Sequence, residues 1–322
     1  MKLNKWTNGL VLLTCGFLVV SVFSGSALAD NKEKYEEKFV KTEKLDKDSK
    51  VYVNNLSGKI EVKTWAQNEV KIDALKVSKA STLARAEENA KKVNIEVNRV
   101  GNTLRIESKY PEHKSRKQDS LNVSVHYNLW IPDKASFEAK SVSGNLSAEG
   151  IGGTFEVNIV SGNVSVVKAE KGVDCKTISG SIEIQEITGD VFLKSVSGTI
   201  EVSRIKGSID AETTSGRIRL EDVDEAKVVK AKVLSGGVHY QGRVIPGGRY
   251  SLESLSGSVK VILPQDSSFE FEAETFSGHI ETDFPVEATG KISPRELRGM
   301  VNKGGAVLRL KTFSGNIYLK KS

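Results

Sequence analysis

Serine–glycine pairs recur along this chain at a fixed interval, and this repeat constrains the fold more than any other feature of the sequence. Between residues 143 and 216 successive pairs are 18 residues apart, and further pairs follow at intervals of 20 to 21 residues. Such a period is typical of repeat architectures, in which each unit must stack on its neighbours to bury its apolar face. The regular pairs are Ser143-Gly144, Ser161-Gly162, Ser179-Gly180, Ser197-Gly198 and Ser215-Gly216, and the later ones are Ser235-Gly236, Ser256-Gly257 and Ser277-Gly278.

A second series of glycines lies halfway between the pairs, so the underlying unit is nine residues long. Counted from each glycine, the residues at +2, +4 and +7 are small or apolar, as Ile182, Ile184 and Ile187 are after Gly180. Positions +2 and +4 share one face of a strand because strand side chains alternate. The glycine allows a bend, and we expect residue +7 to point inward again. Two units form one coil, which predicts an all-β fold, a parallel β-solenoid of about 18–21-residue coils.

This phase predicts which side chains form the core. Cys175 holds a +4 position, so we expect a buried thiol packed among apolar neighbours. Val196 holds the +7 position of its unit and is expected to lie inside as well. The predicted core residues at +2 and +4 are Ile182, Ile184, Val191, Leu193, Ile200 and Val202, whereas Glu183, Phe192 and Glu201 should face solvent.

The start of the chain has the features of a secretory signal peptide over residues 1–29. A positively charged beginning precedes an apolar stretch over 10–23, and Ala27-Leu28-Ala29 has the small-residue pattern of a cleavage site. Cleavage is expected after Ala29, with an uncleaved N-terminal anchor as the alternative. The protein is therefore predicted to be exported, to the periplasm, the cell surface or the medium.

The remaining residues divide into a short leading segment and one domain. Residues 30–44 are predicted to be a polar N-terminal linker, and 45–322 a single β-solenoid domain. Within it, 45–140 form an irregular N-terminal part with a short helix over 79–93, and 141–322 carry the regular coils with a loop at 284–303.

The N-terminal run Asn55-Leu56-Ser57-Gly58-Lys59-Ile60, a short helix and many Ser-Gly-x-Ile-x-Val steps together resemble the bacterial "putative adhesin" family, a β-solenoid family classed as a domain of unknown function. The resemblance covers roughly residues 45–322. It implies a β-solenoid protein of the cell envelope without established catalytic residues.

Charge and motifs exclude several chemistries. Loss of Lys2 and Lys5 with the leader lowers the formal charge from +6 to +4, and the surplus is dispersed, which argues against nucleic-acid binding. The bends lack the paired glycines and aspartate of calcium-binding rolls, and the histidines are scattered, so no metal and no cofactor is expected. Glu183 and Glu201 would stack on adjacent coils at the spacing of a glycosidase pair, but a variable solvent-facing column explains them better.

We therefore expect a non-enzymatic exported β-solenoid that acts as a binding, adhesin-like or scaffolding module. The alternatives are a β-helix enzyme acting on polysaccharide and a partner-binding component of envelope stress. Irregular segments are where ligand contacts concentrate, and both interruptions of the repeat, 109–120 and 284–303, are basic. The partner is expected to be an anionic envelope polymer, a membrane surface or a protein, and the oligomeric state stays open. The candidate ligand contacts are Arg116, Lys117, Arg295 and Arg298.

Overall fold

The computed structural model describes residues 32–111, 121–289 and 293–322. Over these residues the chain alternates between two long sheets, sheet A with thirteen strands and sheet B with fourteen, and buries a continuous apolar core between them. Most neighbouring strands are parallel, which confirms the predicted β-solenoid. The predicted signal peptide lies outside the described residues. Among the described residues, no helix is both long enough and apolar enough to cross a membrane.

The N-terminal third contains eight strands and a helix among the described residues. Their bounds are β1 (Glu33–Lys44), β2 (Lys50–Ser57), β3 (Ile60–Trp65), β4 (Glu69–Ala80), α1 (Leu83–Lys91), β5 (Asn94–Val100), β6 (Thr103–Lys109), β7 (Val123–Pro132) and β8 (Ser136–Ser143).

Short strands follow throughout the rest of the chain. They are β9 (Leu146–Ile151), β10 (Phe155–Ser161), β11 (Val164–Ala169), β12 (Val173–Ser179), β13 (Ile182–Thr188), β14 (Val191–Ser197), β15 (Ile200–Lys206), β16 (Ile209–Ser215), β17 (Ile218–Val223), β18 (Val228–Ser235), β19 (Val238–Gly242), β20 (Arg249–Ser256), β21 (Val259–Leu263), β22 (Phe269–Ser277), β23 (Ile280–Thr282), β24 (Glu287–Ala288), β25 (Glu296–Val301), β26 (Ala306–Ser314) and β27 (Ile317–Lys321).

Each regular coil contributes one strand to each sheet, in strict register with the coils beside it. Cys175 on β12 pairs with Val157 on β10 and Leu193 on β14, and Ile184 on β13 pairs with Val202 on β15. All six predicted core residues at +2 and +4 are buried, and Glu183, Phe192 and Glu201 are exposed. The nine-residue phase is therefore confirmed at these positions.

The buried position of Cys175 leads to a prediction about its reactivity. Its side chain is fully buried, and burial raises the pKa of the thiol far above its ordinary value, so the reactive thiolate is suppressed. We expect no labelling by a water-soluble thiol reagent such as DTNB in the native mature protein, and one equivalent after unfolding. Rapid labelling of the native protein, without loss of its β signal in circular dichroism, would contradict the core assignment.

The two halves of a coil differ at positions +6 and +7, which corrects the prediction for Val196. In sheet A, Glu186 at +6 has a left-handed φ of 58°, which shifts the alternation by one residue so that Ile187 at +7 points inward. In sheet B the alternation continues, Ser195 at +6 turns inward, and Val196 at +7 faces solvent. The left-handed column of sheet A consists of Lys168, Glu186, Arg204 and Asp222.

Most of the hydroxyl groups that turn inward on sheet B donate to carbonyl groups at the glycine bends, and Ser141 is an exception. Ser195 Oγ donates to the Gly180 carbonyl at 3.2 Å, and Thr213 Oγ1 donates to the Gly198 carbonyl at 3.2 Å. Each bond gives a hydrogen-bond partner to a backbone carbonyl group at the corner between the two sheets, where the ladder of bonds between strands is interrupted. The small polar residue at +6 therefore has a structural role in the half-coils where this bond forms.

The N-terminal end of the solenoid corrects two predictions. The predicted polar linker forms β1 over Glu33–Lys44, because it pairs antiparallel with β4 along its whole length, and from Glu37 onward its side chains alternate between half-buried and exposed. The predicted helix over 79–93 is limited to Leu83–Lys91, since Lys79 and Ala80 still belong to β4 and Thr82 caps the helix. Helix α1 packs against this edge through its buried alanines, Ala86 and Ala90.

The C-terminal end corrects the prediction of a loop at 284–303. Here β24 and β25 extend sheet B at its edge, with β25 antiparallel to β22. The chain then returns, and β26 inserts between β20 and β22 while β27 inserts between β21 and β23. The last coil in sequence is therefore not the last coil in space.

Candidate binding groove

A column of exposed apolar side chains runs along the outer face of sheet B, at the residue before each serine–glycine pair. These side chains are 43–65% exposed. The residues before and after each of them in its strand pair in register with the neighbouring strand. The ladder pairs Thr177 with Ser195 and Ser179 with Ser197, which places Ile178 beside Val196. In spatial order the apolar column is Leu56, Val142, Val160, Ile178, Val196, then, beyond Thr214, Leu234, Leu255, Phe313 and Phe276.

A polar column rich in lysine runs beside the first half of the apolar column, two residues earlier in each strand. Because residues two apart on a strand share a face, these side chains stand next to the aliphatic ones. In spatial order this column contains Asn54, Lys140, Asn158, Lys176, Lys194 and Glu212, each paired in register with the next.

Together the two columns line a groove of about 610 Å³ that runs across the strands of β2, β8, β10, β12, β14 and β16. The groove has an aliphatic floor and a basic wall. At one end the floor ends at Thr214, beside Glu212, and at the other the wall ends at Asn54. We call this feature the N-terminal groove.

Each groove lysine has a carboxylate partner on the same face. Lys140 lies 3.7 Å from Glu138, Lys176 lies 3.0 Å from Asp174, and Lys194 lies 3.2 Å from Glu212. The three lysine side chains are about half exposed, and ion pairs at such exposure are typically worth no more than about 1 kcal/mol. The ammonium groups can therefore exchange these partners for a ligand at small cost.

The second half of the apolar column lines a separate groove of about 570 Å³, which we call the C-terminal groove. Its floor is aromatic at the far end, where the rings of Phe276 and Phe313 stack with centroids 4.7 Å apart and planes 4° from parallel. Its charges alternate in sign, and Lys311 pairs with Glu274 at 2.9 Å. The C-terminal groove therefore has no basic wall.

The two predicted contact residues that the structure describes, Arg295 and Arg298, line neither the N-terminal nor the C-terminal groove. Arg298 lies on β25 and pairs with Glu272 at 2.9 Å and with Glu296 at 3.2 Å. Arg295 lies just before β25, where its carbonyl accepts a bond from the Thr275 amide. Arg116 and Lys117 lie outside the described residues. The role of all four in ligand binding stays a prediction.

The paired carboxylates considered for catalysis lie on the outer face of sheet A. Glu183 and Glu201 are in register on β13 and β15, and both are exposed. The same column continues with Ser165 on one side and Arg219 on the other, so it varies freely in chemistry. Within the described ranges, histidine, cysteine and carboxylate side chains do not gather into a cluster that could hold a metal ion.

The sequence contains a signal for the groove that the nine-residue unit hides. Position +6 is serine or threonine in alternate units, at Thr177, Ser195 and Thr213, and a charged residue in the units between them, at Glu186 and Arg204. Only the alternate units therefore direct +6 inward and +7 outward. An 18-residue period at +6 identifies the exposed apolar column.

Solved structures of several bacterial proteins are similar to this chain at low identity. A "putative cell adhesion protein" from Clostridium sporogenes is 13% identical, with 89% of this chain and 100% of that chain covered and a TM-score of 0.25. A "putative adhesin" from Bacteroides fragilis is 12% identical, with 88% and 97% covered and a TM-score of 0.38. A "putative lipid binding protein" from Parabacteroides distasonis is also 12% identical, with 87% and 96% covered and a TM-score of 0.38. At these TM-scores the similarities do not bear on function.

The family relationship is much clearer than these pairwise similarities. A search of curated proteins found no match. The family model for Toastrack DUF4097 matches residues 48–320, which spans the solenoid from β2 to β27. The chain therefore belongs to the Toastrack DUF4097 family, as the resemblance to a domain of unknown function predicted.

Proposed function

We propose that this protein is an exported, non-enzymatic binding module of the cell envelope, and that it binds its partner along the N-terminal groove. The observation that carries the proposal is the continuous aliphatic floor beside a wall of lysines. A soluble monomer rarely exposes a contiguous apolar surface without a partner for it. The lysines favour an anionic partner.

The architecture of the solenoid supports binding through an outer face. Inward side chains are committed to the stack, so only outward columns can vary without loss of stability. A register repeated over many strands turns single exposed residues into long columns, and such columns suit an elongated partner. The groove also has the volume of typical ligand sites, which range over roughly 300–1,000 Å³.

The proposal is tested by co-sedimentation of the mature protein with isolated envelope fractions at low and moderate salt. We expect Val160→Asn combined with Ile178→Asn to reduce the bound fraction severalfold, because both side chains form the floor of the groove.

N-terminal sequencing of the exported protein should begin at Asp30.

The matched control is Leu234→Asn combined with Leu255→Asn, which changes the same exposed column within the C-terminal groove. This variant should bind envelope fractions like the unaltered protein. If instead Arg295→Gln with Arg298→Gln abolishes binding while the groove variant binds normally, the partner contacts the edge of sheet B and the groove assignment is wrong.

A further inference from the structure

We propose that the N-terminal groove binds a single linear acyl chain with an anionic headgroup. The hydrocarbon chain lies along the aliphatic floor and the headgroup lies between Lys176 and Lys194. This inference rests on the proposed binding function and specifies its ligand.

The floor has the chemistry and length of an extended hydrocarbon chain. The aliphatic column that forms the floor runs from Leu56 to Val196, with one side chain on each of five adjacent strands, and Val142 to Val196 line the groove itself. Four strand spacings of about 4.8 Å give a length of about 19 Å. With bonds of about 1.5 Å at tetrahedral angles, each carbon advances an extended chain by about 1.25 Å, so the floor accommodates roughly fifteen carbons.

The charge distribution orients the ligand. Lys176 and Lys194 lie on neighbouring strands in direct register. Their exposed pairs with Asp174 and Glu212 can be exchanged for one headgroup between the two ammonium groups, which reduces the repulsion of their like charges. They stand at the end of the floor where Thr214 adds a hydroxyl group. Toward the other end the wall contains the neutral Asn158 and Asn54 with one lysine between them, Lys140, which pairs with Glu138. Two adjacent cations therefore occur only at the Thr214 end, and the apolar tail lies toward Asn54.

A column of acidic side chains favours a single chain over the surface of an anionic bilayer. It lies two residues before the lysine column on the same face of sheet B and contains Glu138, Glu156, Asp174 and Asp210, with the exposed Phe192 between the last two. A flat anionic surface laid on this face would meet these carboxylates and be repelled. A narrow ligand within the groove contacts the lysines and the floor alone.

The inference is tested by calorimetric titration of the mature protein with sodium palmitate below its micellar concentration. We expect saturable binding of one palmitate per protein and at least tenfold weaker binding of sodium octanoate, which covers only half of the floor. Hexadecyltrimethylammonium has the same chain length and the opposite charge, so it should bind at least tenfold more weakly than palmitate.

Two groove variants and one matched control locate the site. Ile178→Asn should weaken palmitate binding at least tenfold, and Lys176→Gln with Lys194→Gln should weaken it and reduce its dependence on salt. Leu255→Asn, which alters the same column in the C-terminal groove, should bind palmitate like the unaltered protein. All four positions are exposed, so melting temperatures should change little and report correct folding.

Several outcomes would overturn the inference. They are the absence of saturable palmitate binding, equal binding of the cationic amphiphile, and equal binding by Ile178→Asn and Leu255→Asn. Binding to phosphatidylglycerol vesicles but not to palmitate would assign the groove to a bilayer surface instead. If envelope co-sedimentation persists and depends on the groove while palmitate does not bind, the binding function stands and the acyl-chain ligand is wrong.

Discussion

Replacing Ile200 with aspartate should strongly destabilise the fold. Ile200 is fully buried and stacks in register between Ile182 on β13 and Ile218 on β17. The substitution removes a packed aliphatic side chain and places a carboxylate among apolar neighbours that offer it no partner. Both effects act together, so we expect a loss of at least about 4 kcal/mol in the free energy of unfolding. Chemical denaturation followed by circular dichroism measures it.

The matched control is the next residue along the same strand. Glu201 is exposed on the outer face of sheet A, so Glu201→Ala should change the free energy of unfolding by no more than about 0.5 kcal/mol. If the two variants shifted the denaturation midpoint equally, the inward and outward faces of β15 would be assigned wrongly.

Replacing Gly162 with alanine should have an effect nearly as large, although it adds only one methyl group. Gly162 has φ of +146°, and an added Cβ would lie 2.1 Å from the carbonyl oxygen of Gly144 on the neighbouring coil. Because the clash is with a backbone atom, no change of side-chain rotamer can relieve it. The two coils must separate, which weakens the bond from the Gly144 amide to the Ser161 carbonyl. We expect a loss of at least about 3 kcal/mol, combining backbone strain and overpacking.

The control for this variant is Gly101→Ala in the hairpin between β5 and β6. Gly101 also has a left-handed φ, +59°, but an added Cβ would meet nothing within 4 Å. This change should cost only the backbone penalty, about 1 kcal/mol. Equal losses for the two variants would show that the dihedral angle, and not the close approach of the coils, makes glycine necessary at the corner.

Much of the solenoid can be predicted because its information is local and repeated. An 18-residue spacing fixes which residues meet on adjacent coils, so Cys175 could be placed between Val157 and Leu193 from sequence alone. The same reasoning fails for Val196, since whether +7 turns inward depends on a left-handed residue at +6. Apolar character alone does not distinguish the two cases.

The ends of the solenoid are harder to predict because their pairings are distant in sequence or depart from the repeat. Residues 33–44 look polar because β1 is an edge strand, and only its antiparallel pairing with β4 identifies it as part of the sheet. The basic residues predicted as ligand contacts lie in segments that interrupt the repeat. In the structure, Arg298 forms ion pairs with Glu272 and Glu296. The candidate groove lies instead within the regular coils.

The insertion of β26 and β27 between two coils that precede them in the sequence has a consequence for the order of folding. Coil 249–263 and coil 269–282 cannot contact each other directly, because the final segment of the chain fills the space between them. The far end of the solenoid therefore stays incomplete until β26 and β27 have been synthesised and have paired with their neighbours. Closing it joins segments well separated in sequence, a slow step in folding. Assembly of this end must follow, rather than accompany, emergence of the chain.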